Sequence, residues 1–170
     1  MNLKEVIRTV PNFPEEGILF RDITPILQSP EHLKNSIDAM QNKLGGLEFD
    51  LIAGPESRGF IFGVPLAYNM DKGFIPVRKK GKLPAETVSK EYSLEYGTAT
   101  IEIHKDAIQK GQKVVIVDDL LATGGTCKAL VEMIEEVGGI VAGMVFLIEL
   151  EGLNGRELLG DYNIHSILQY

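Results

Sequence analysis

The stretch Lys113–Thr126, K-V-V-I-V-D-D-L-L-A-T-G-G-T, constrains this chain more than any other. Val114 to Val117 are four consecutive aliphatic residues, mostly β-branched, the pattern of a parallel strand buried on both faces. Asp118 and Asp119 end that strand as an adjacent acidic pair, and a polar, glycine-rich turn runs from Ala122 to Thr126. Beyond it Leu130, Met133, Ile134 and Val137 recur at helical spacing opposite Lys128, Glu132, Glu135 and Glu136. The order is strand, acidic pair, glycine turn, helix.

That order carries chemistry. Gly124 and Gly125 let backbone N–H groups approach a phosphate, the Thr123 and Thr126 hydroxyls can donate to it, and the helix N-terminus adds partial positive charge. The turn reads as a phosphate cradle. Asp118 and Asp119 would repel the phosphate unless a polyol lay between, its hydroxyls donating to the carboxylates, with or without a divalent cation. A ribose 5-phosphate suits both halves. The P-loop lysine is missing, and so is the G-x-G-x-x-G spacing of a dinucleotide turn. An ordinary βα turn is the competing reading, and the acidic pair with both threonines weighs against it.

The stretch V-V-I-V-D-D-L-L-A-T-G-G-T resembles the 5-phosphoribosyl diphosphate (PRPP) signature of the type I phosphoribosyltransferases, a long and specific motif. The likeness extends over nearly the whole chain, and its surroundings are most similar to the adenine-using branch. It implies a doubly wound, mostly parallel α/β sheet flanked by helices, as one domain over residues 1–170. Residues 1–28 would be an N-terminal hood and residues 78–91 a mobile lid.

Length and composition agree. A chain of 170 residues suits one domain with a full-sized core. The net charge of -7 argues against nucleic-acid and membrane-surface partners. The single cysteine, Cys127, forms no internal disulfide and suits a reducing cytoplasm; packing is its expected role. No leader peptide or membrane-spanning run is expected.

Residues 2–10 are expected to form a short amphipathic helix stopping at Pro11, and P-N-F-P-E-E-G-I-L-F-R-D-I-T-P an irregular cap. The resemblance makes that cap the cover of the purine, with Phe20 and Arg21 contacting the base. Ser29-Pro30-Glu31 opens a helix whose buried stripe is Leu33, Ile37, Met40 and Leu44, ended by Gly45-Gly46. Residues 49–54 are the first core strand, leading into P-E-S-R-G at 55–59. Ser57 and Arg58 there offer donors to an anion, and in the family this loop takes the pyrophosphate of PRPP. Glu56 is expected to orient Arg58 or to stand near a magnesium shell. Residues 60–67, apolar on all sides, predict a buried helix kinked at Pro65.

A strand is expected at 73–77, and R-K-K-G-K then places four cations in five positions. On its own such a run is usually a solvated face. Beside two phosphate turns it predicts a lid closing over PRPP and excluding water. By resemblance Glu95, in Y-S-L-E-Y-G, acts on the base. Residues 98–103 alternate as a half-buried strand, and 140–149 form another continuous aliphatic strand. His32, His104 and His165 are expected to be structural or surface residues.

The reaction implied by the resemblance is adenine plus PRPP giving AMP and pyrophosphate, in a homodimer. Arg58, Arg78 and Lys82 would serve the leaving group, with a magnesium ion chelated mainly by PRPP and no direct protein ligand. Asp118 and Asp119 would hold the ribose hydroxyls, Ala122–Thr126 the 5-phosphate, and Glu95 the base. A related enzyme using orotate or xanthine, a PRPP-sensing regulator and a structural βα domain are the alternatives. The last leaves the four cations unexplained, and the regulator needs a nucleic-acid-binding module or face that this acidic chain does not suggest.

Overall fold

The computed structural model describes residues 2–94 and 97–170. A one-turn helix α1 (Leu3–Val6) leads into an antiparallel hairpin of β1 (Arg8–Pro11) and β2 (Leu19–Asp22), followed by α2 (Thr24–Gln28) and α3 (Pro30–Leu44). The main sheet then begins with β3 (Leu51–Pro55), α4 (Arg58–Asn69), β4 (Gly73–Lys79), β5 (Thr87–Ser93) and β6 (Thr98–His104). It continues through β7 (Lys113–Leu121), α5 (Gly125–Glu136) and β8 (Ile140–Glu149), then a 3-10 turn, α6 (Gly155–Leu159) and β9 (Ile164–Gln169).

The strand order is β5-β6-β4-β3-β7-β8-β9. The five strands from β4 to β9 are parallel, and β6 and β5 add an antiparallel edge. Alternation across the central strands sorts the core into two layers. Val114 and Ile116 pack with α5 and α6, whereas Val115 and Val117 pack with α1 to α4. The chain leaves β3 toward β4 and later returns to its other side as β7. The β3/β7 crevice is therefore the switch point at which open α/β sheets bind ligands.

Several expectations hold at residue level. Ser29 caps α3 by accepting the His32 N–H at 3.3 Å, Pro30 opens the helix, and Met40 and Leu44 are fully buried. Gly138 follows the end of α5 at φ 92°. Others are corrected. The N-terminal helix is one turn long, because Arg8–Pro11 pairs with Leu19–Asp22, so the cap is a hairpin rather than irregular chain. Asp118 and Asp119 do not end their strand: β7 runs on to Leu121, paired with β8 at Leu120 and Leu121.

Helix α4 is not buried all round, since Val64 and Tyr68, one turn apart, are 47% and 86% exposed. Strand β6 does not alternate cleanly, because Ile101, Glu102 and Ile103 are all buried. The segment 78–91 is not a loop throughout: Arg78 and Lys79 finish β4, and Thr87–Glu91 lie on β5 paired to β6.

Candidate active site

Two loops leave the switch point in opposite directions. The first, residues 55–58, joins β3 to α4. Here Gly59 is demanded by space: a Cβ would meet Pro55 Cδ at 2.9 Å, Asp118 Oδ1 at 3.1 Å and the Val117 carbonyl at 3.2 Å. The absence of a side chain lets α4 start against β7 at Val117 and Asp118. The second loop, Ala122–Thr126, joins β7 to α5. Gly124 adopts φ +87° at the N-cap of α5, and a Cβ there would sit 3.0 Å from the Gly155 carbonyl. The start of α6 is thus pressed onto the turn.

Arg58 joins the two loops. Its Nε forms an ion pair with Asp119 Oδ2 at 2.7 Å, and its guanidinium lies 5.6 Å from the Phe20 ring centroid. Asp119 donates its N–H to Asp118 Oδ1 at 2.8 Å. Burial, then the neighbouring Asp119, push the Asp118 carboxyl well above the usual aspartate range. A cavity of about 360 Å³ lies along these groups and includes Glu56, Ser57, Arg58, Asp118, Asp119 and Thr126. A second of about 220 Å³ runs over the turn from Ala122 to Thr126.

The structure brings Glu56, Ser57, Arg58, Asp118, Asp119, Ala122, Thr123, Gly124, Gly125 and Thr126 to these two cavities. Glu56 does not orient Arg58. It accepts the Lys79 N–H at 2.7 Å and Arg78 Nε at 3.3 Å, contacts that hold its carboxyl below the ordinary value. Arg78 is thereby engaged outside the larger cavity, and Lys82 is exposed in the turn after β4. Lys79 lines the cavity instead. The signal for it was present in R-K-K-G-K, but strand alternation sends Arg78 and Lys79 to opposite sides.

Phe20 faces Arg58 and packs edge-on against Phe13 at 5.1 Å, whereas Arg21 points the other way. The Arg21 guanidinium donates to Thr9 Oγ1 at 2.6 Å and lies 4.1 Å from the Tyr170 ring centroid, so its side chain ties the hood to the end of the chain. Glu95 lies outside the described residues.

Tyr92 on β5 also lines the larger cavity, and its hydroxyl is 3.1 Å from Thr126 Oγ1. Nothing in the sequence pattern connected the two. Glu102, buried on β6, accepts the Thr87 hydroxyl and the Gly81 N–H, each at 2.7 Å, so the cationic turn is anchored to the hairpin. Cys127 is buried, with Sγ 3.3 Å from Met144 Sδ, and burial raises its pKa; it packs. No helix among the described residues is long and apolar enough to cross a membrane. None of their His, Cys, Asp and Glu side chains gather in a group of three or more that could hold a metal ion.

Residues 22–167 match the family model described as the phosphoribosyl transferase domain. The adenine phosphoribosyltransferase of Lachnoclostridium phytofermentans is 66% identical over 168 residues, covering 99% of this chain and 97% of that protein. The crystal structure of adenine phosphoribosyltransferase from Thermoanaerobacter pseudethanolicus superposes with a TM-score of 0.96 at 55% identity, covering 99% of this chain and 100% of that one. The Saccharomyces cerevisiae adenine phosphoribosyltransferase, complexed with D-2,5-dideoxy-2,5-imino-altritol 1,6-bisphosphate and adenine, superposes with a TM-score of 0.92 at 42% identity, covering 98% of this chain and 96% of that one.

Proposed function

The chain belongs to the phosphoribosyltransferase family, among the adenine phosphoribosyltransferases, and from that premise we propose how its residues divide the reaction. The 5-phosphoribosyl group passes from PRPP to adenine, giving AMP and pyrophosphate in purine salvage. The whole chain, 1–170, works as one domain.

The observation that carries the assignment is the position of Arg58. One guanidinium is bonded to the carboxylate expected at the ribose, stands on the pyrophosphate loop and faces the hood ring expected at the base. The ribosyl carbon must lie where those three meet. As pyrophosphate leaves, that carbon develops oxocarbenium character, so the site has to neutralise the leaving group and hold the base in line. Arg58, with Ser57 and Lys79, takes the pyrophosphate, Lys82 supports it from the lid, and Arg78, at the end of β4, acts at one remove by holding Glu56. Only the turn at 80–86 remains outside the strands to act as that lid.

Asp118 and Asp119 accept the ribose 2′- and 3′-hydroxyls, and their charge favours the cationic transition state. The turn Ala122–Thr126 takes the 5-phosphate. Phe20 packs on adenine, with Arg21 acting at one remove by fixing the hood. Glu95 accepts the N–H proton that adenine loses as its nitrogen bonds to the ribosyl carbon. At an ordinary pKa of about 4.3 it is ionised at neutral pH and needs no tuning for this direction.

Paired carboxylates beside a polyphosphate make an all-oxygen donor set that suits magnesium carried mainly by PRPP. That ion supplies further neutralisation of the pyrophosphate when bound. The exposed Val64 and Tyr68 on α4 support assembly as a homodimer. The single, buried Cys127 supports a cytoplasmic location.

The test mixes purified protein, PRPP and magnesium with adenine, hypoxanthine, guanine, xanthine or orotate in separate tubes. AMP formed with adenine far faster than any other product is the expected result. Faster turnover of another base overturns the hood assignment and keeps the phosphate sites.

A further inference from the structure

We propose that Tyr92 is a positioning residue of the 5-phosphate site, its hydroxyl directing the Thr126 proton to the phosphate and tying the β5–β6 hairpin to phosphate occupancy. The proposal rests on the reading of Ala122–Thr126 as the 5-phosphate turn. Three contacts carry it. The Tyr92 hydroxyl is 3.1 Å from Thr126 Oγ1. Its ring packs against the α5 side of the core, 3.5 Å from where a Gly125 Cβ would stand. It also lines the same cavity of about 360 Å³ as Arg58 and Asp119. The ion pair of Lys90 with Glu132, at 3.3 Å, also links β5 to α5, but both side chains are about 40% exposed and such pairs contribute little.

The chemistry follows from counting protons. A hydroxyl has one proton and two acceptor lone pairs, and its hydrogen rotates to suit. Phosphate oxygens only accept, so Thr126 must donate its one proton to them. In the absence of phosphate that proton can go to Tyr92. On phosphate arrival both hydroxyls rotate: Thr126 donates to the phosphate, and Tyr92 donates to the Thr126 oxygen. Tyrosine keeps its proton throughout.

Phe at position 92 keeps the ring and removes only the hydroxyl. Tyr92→Phe, Thr126→Val and the double variant are compared by KM for PRPP, KM for adenine and calorimetric binding of ribose 5-phosphate, which carries no pyrophosphate. One net hydrogen bond corresponds to about a 2- to 13-fold loss, the range expected for Y92F in both PRPP KM and ribose 5-phosphate affinity, with adenine KM changed by less than about twofold. T126V loses about 10- to 150-fold, and the double variant is no worse than T126V, because Tyr92 acts through that hydroxyl.

An unchanged Y92F with an impaired T126V overturns the role of Tyr92 and leaves the phosphate turn standing. So does a weakening that appears with PRPP but not with ribose 5-phosphate, an equal rise in adenine KM, or a double variant whose losses multiply. A T126V with full affinity for ribose 5-phosphate overturns the phosphate turn and this proposal together.

Discussion

The molecule holds two arginine–carboxylate pairs of nearly equal exposure and opposite design. Arg58 and Arg156 side chains are each 45% exposed, and their partners Asp119 and Glu149 are 9% and 8% exposed. Arg156 has its fork engaged: it grips both Glu149 oxygens with bonds of 2.7 and 2.9 Å and donates to the Ile164 carbonyl at 2.9 Å, and the Ser166 hydroxyl donates to Glu149 Oε2 as well, at 2.6 Å. Arg58 uses one nitrogen on Asp119 and leaves the rest of its fork facing the cavity. Matching burial therefore says little about role. What separates a clasp from a ligand site is whether the donors are already used.

The largest effect that tests this contrast is on catalysis. Arg58→Gln keeps a donor for Asp119 and removes the fork, so kcat should fall by about 10²- to 10³-fold, the usual consequence of deleting a transition-state donor. The melting temperature should hardly move, because Arg58 meets Asp119 through one nitrogen alone and its own side chain is 45% exposed. The same substitution at the clasp should do the reverse. Arg156→Gln loses charge-assisted bonds of about 1.5–3 kcal/mol, taken at the lower end because the guanidinium is partly solvated. For a domain of this size that lowers the melting temperature by about 3–6 °C, with kcat within about threefold of the parent. Calorimetry and steady-state rates on both variants decide the matter; equal losses of stability and activity in each would abolish the distinction.

Much of the site could be read from the sequence where its determinants are local. The β7 strand, its acidic pair, the glycine turn and the start of α5 follow one another in the fourteen residues Lys113–Thr126, and the apolar period, the glycines and the hydroxyls each have a short-range meaning. The caps of α3 were legible for the same reason. What the sequence did not disclose depends on partners far along the chain. Arg8–Pro11 becomes a strand only because Leu19–Asp22 lies beside it, and Thr87–Glu91 leaves the expected lid because β6 pairs with it.

Arg21 turns away from Arg58 and the cavity because Tyr170, at the other end of the chain, takes its guanidinium. Arg156 with Glu149, and Tyr92 with Thr126, are likewise pairings that only the folded chain creates. Val64 shows the complementary error: its apolar character suggested burial, while the sheet lies on the other side of α4.

The smallest effect concerns protons, and it sharpens the contrast because the two carboxylates titrate with opposite signs. Arg156 and then Ser166 hold Glu149 below the ordinary value of 4.5. Its contribution is present above that unfolded pKa and disappears as pH falls through the lower folded value. Asp118 is raised above 3.8, by burial first and Asp119 second, so between 3.8 and its folded value the native state binds the extra proton and stability declines as pH rises.

Glu149→Gln should therefore lower the melting temperature at pH 7, with the deficit shrinking below about pH 4.5. Asp118→Asn retains an acceptor for the Asp119 N–H and removes the buried charge. It should melt slightly higher than the parent at pH 7, by about 1–3 °C for a gain of under about 1 kcal/mol, and the advantage should shrink on acidification. Thermal melts of both variants between pH 7 and 4 check the signs. An Asp118→Asn protein that is less stable at neutral pH would mean that the charge at Asp118 supports the fold, and the site would then be as much a clasp as Arg156 and Glu149 are.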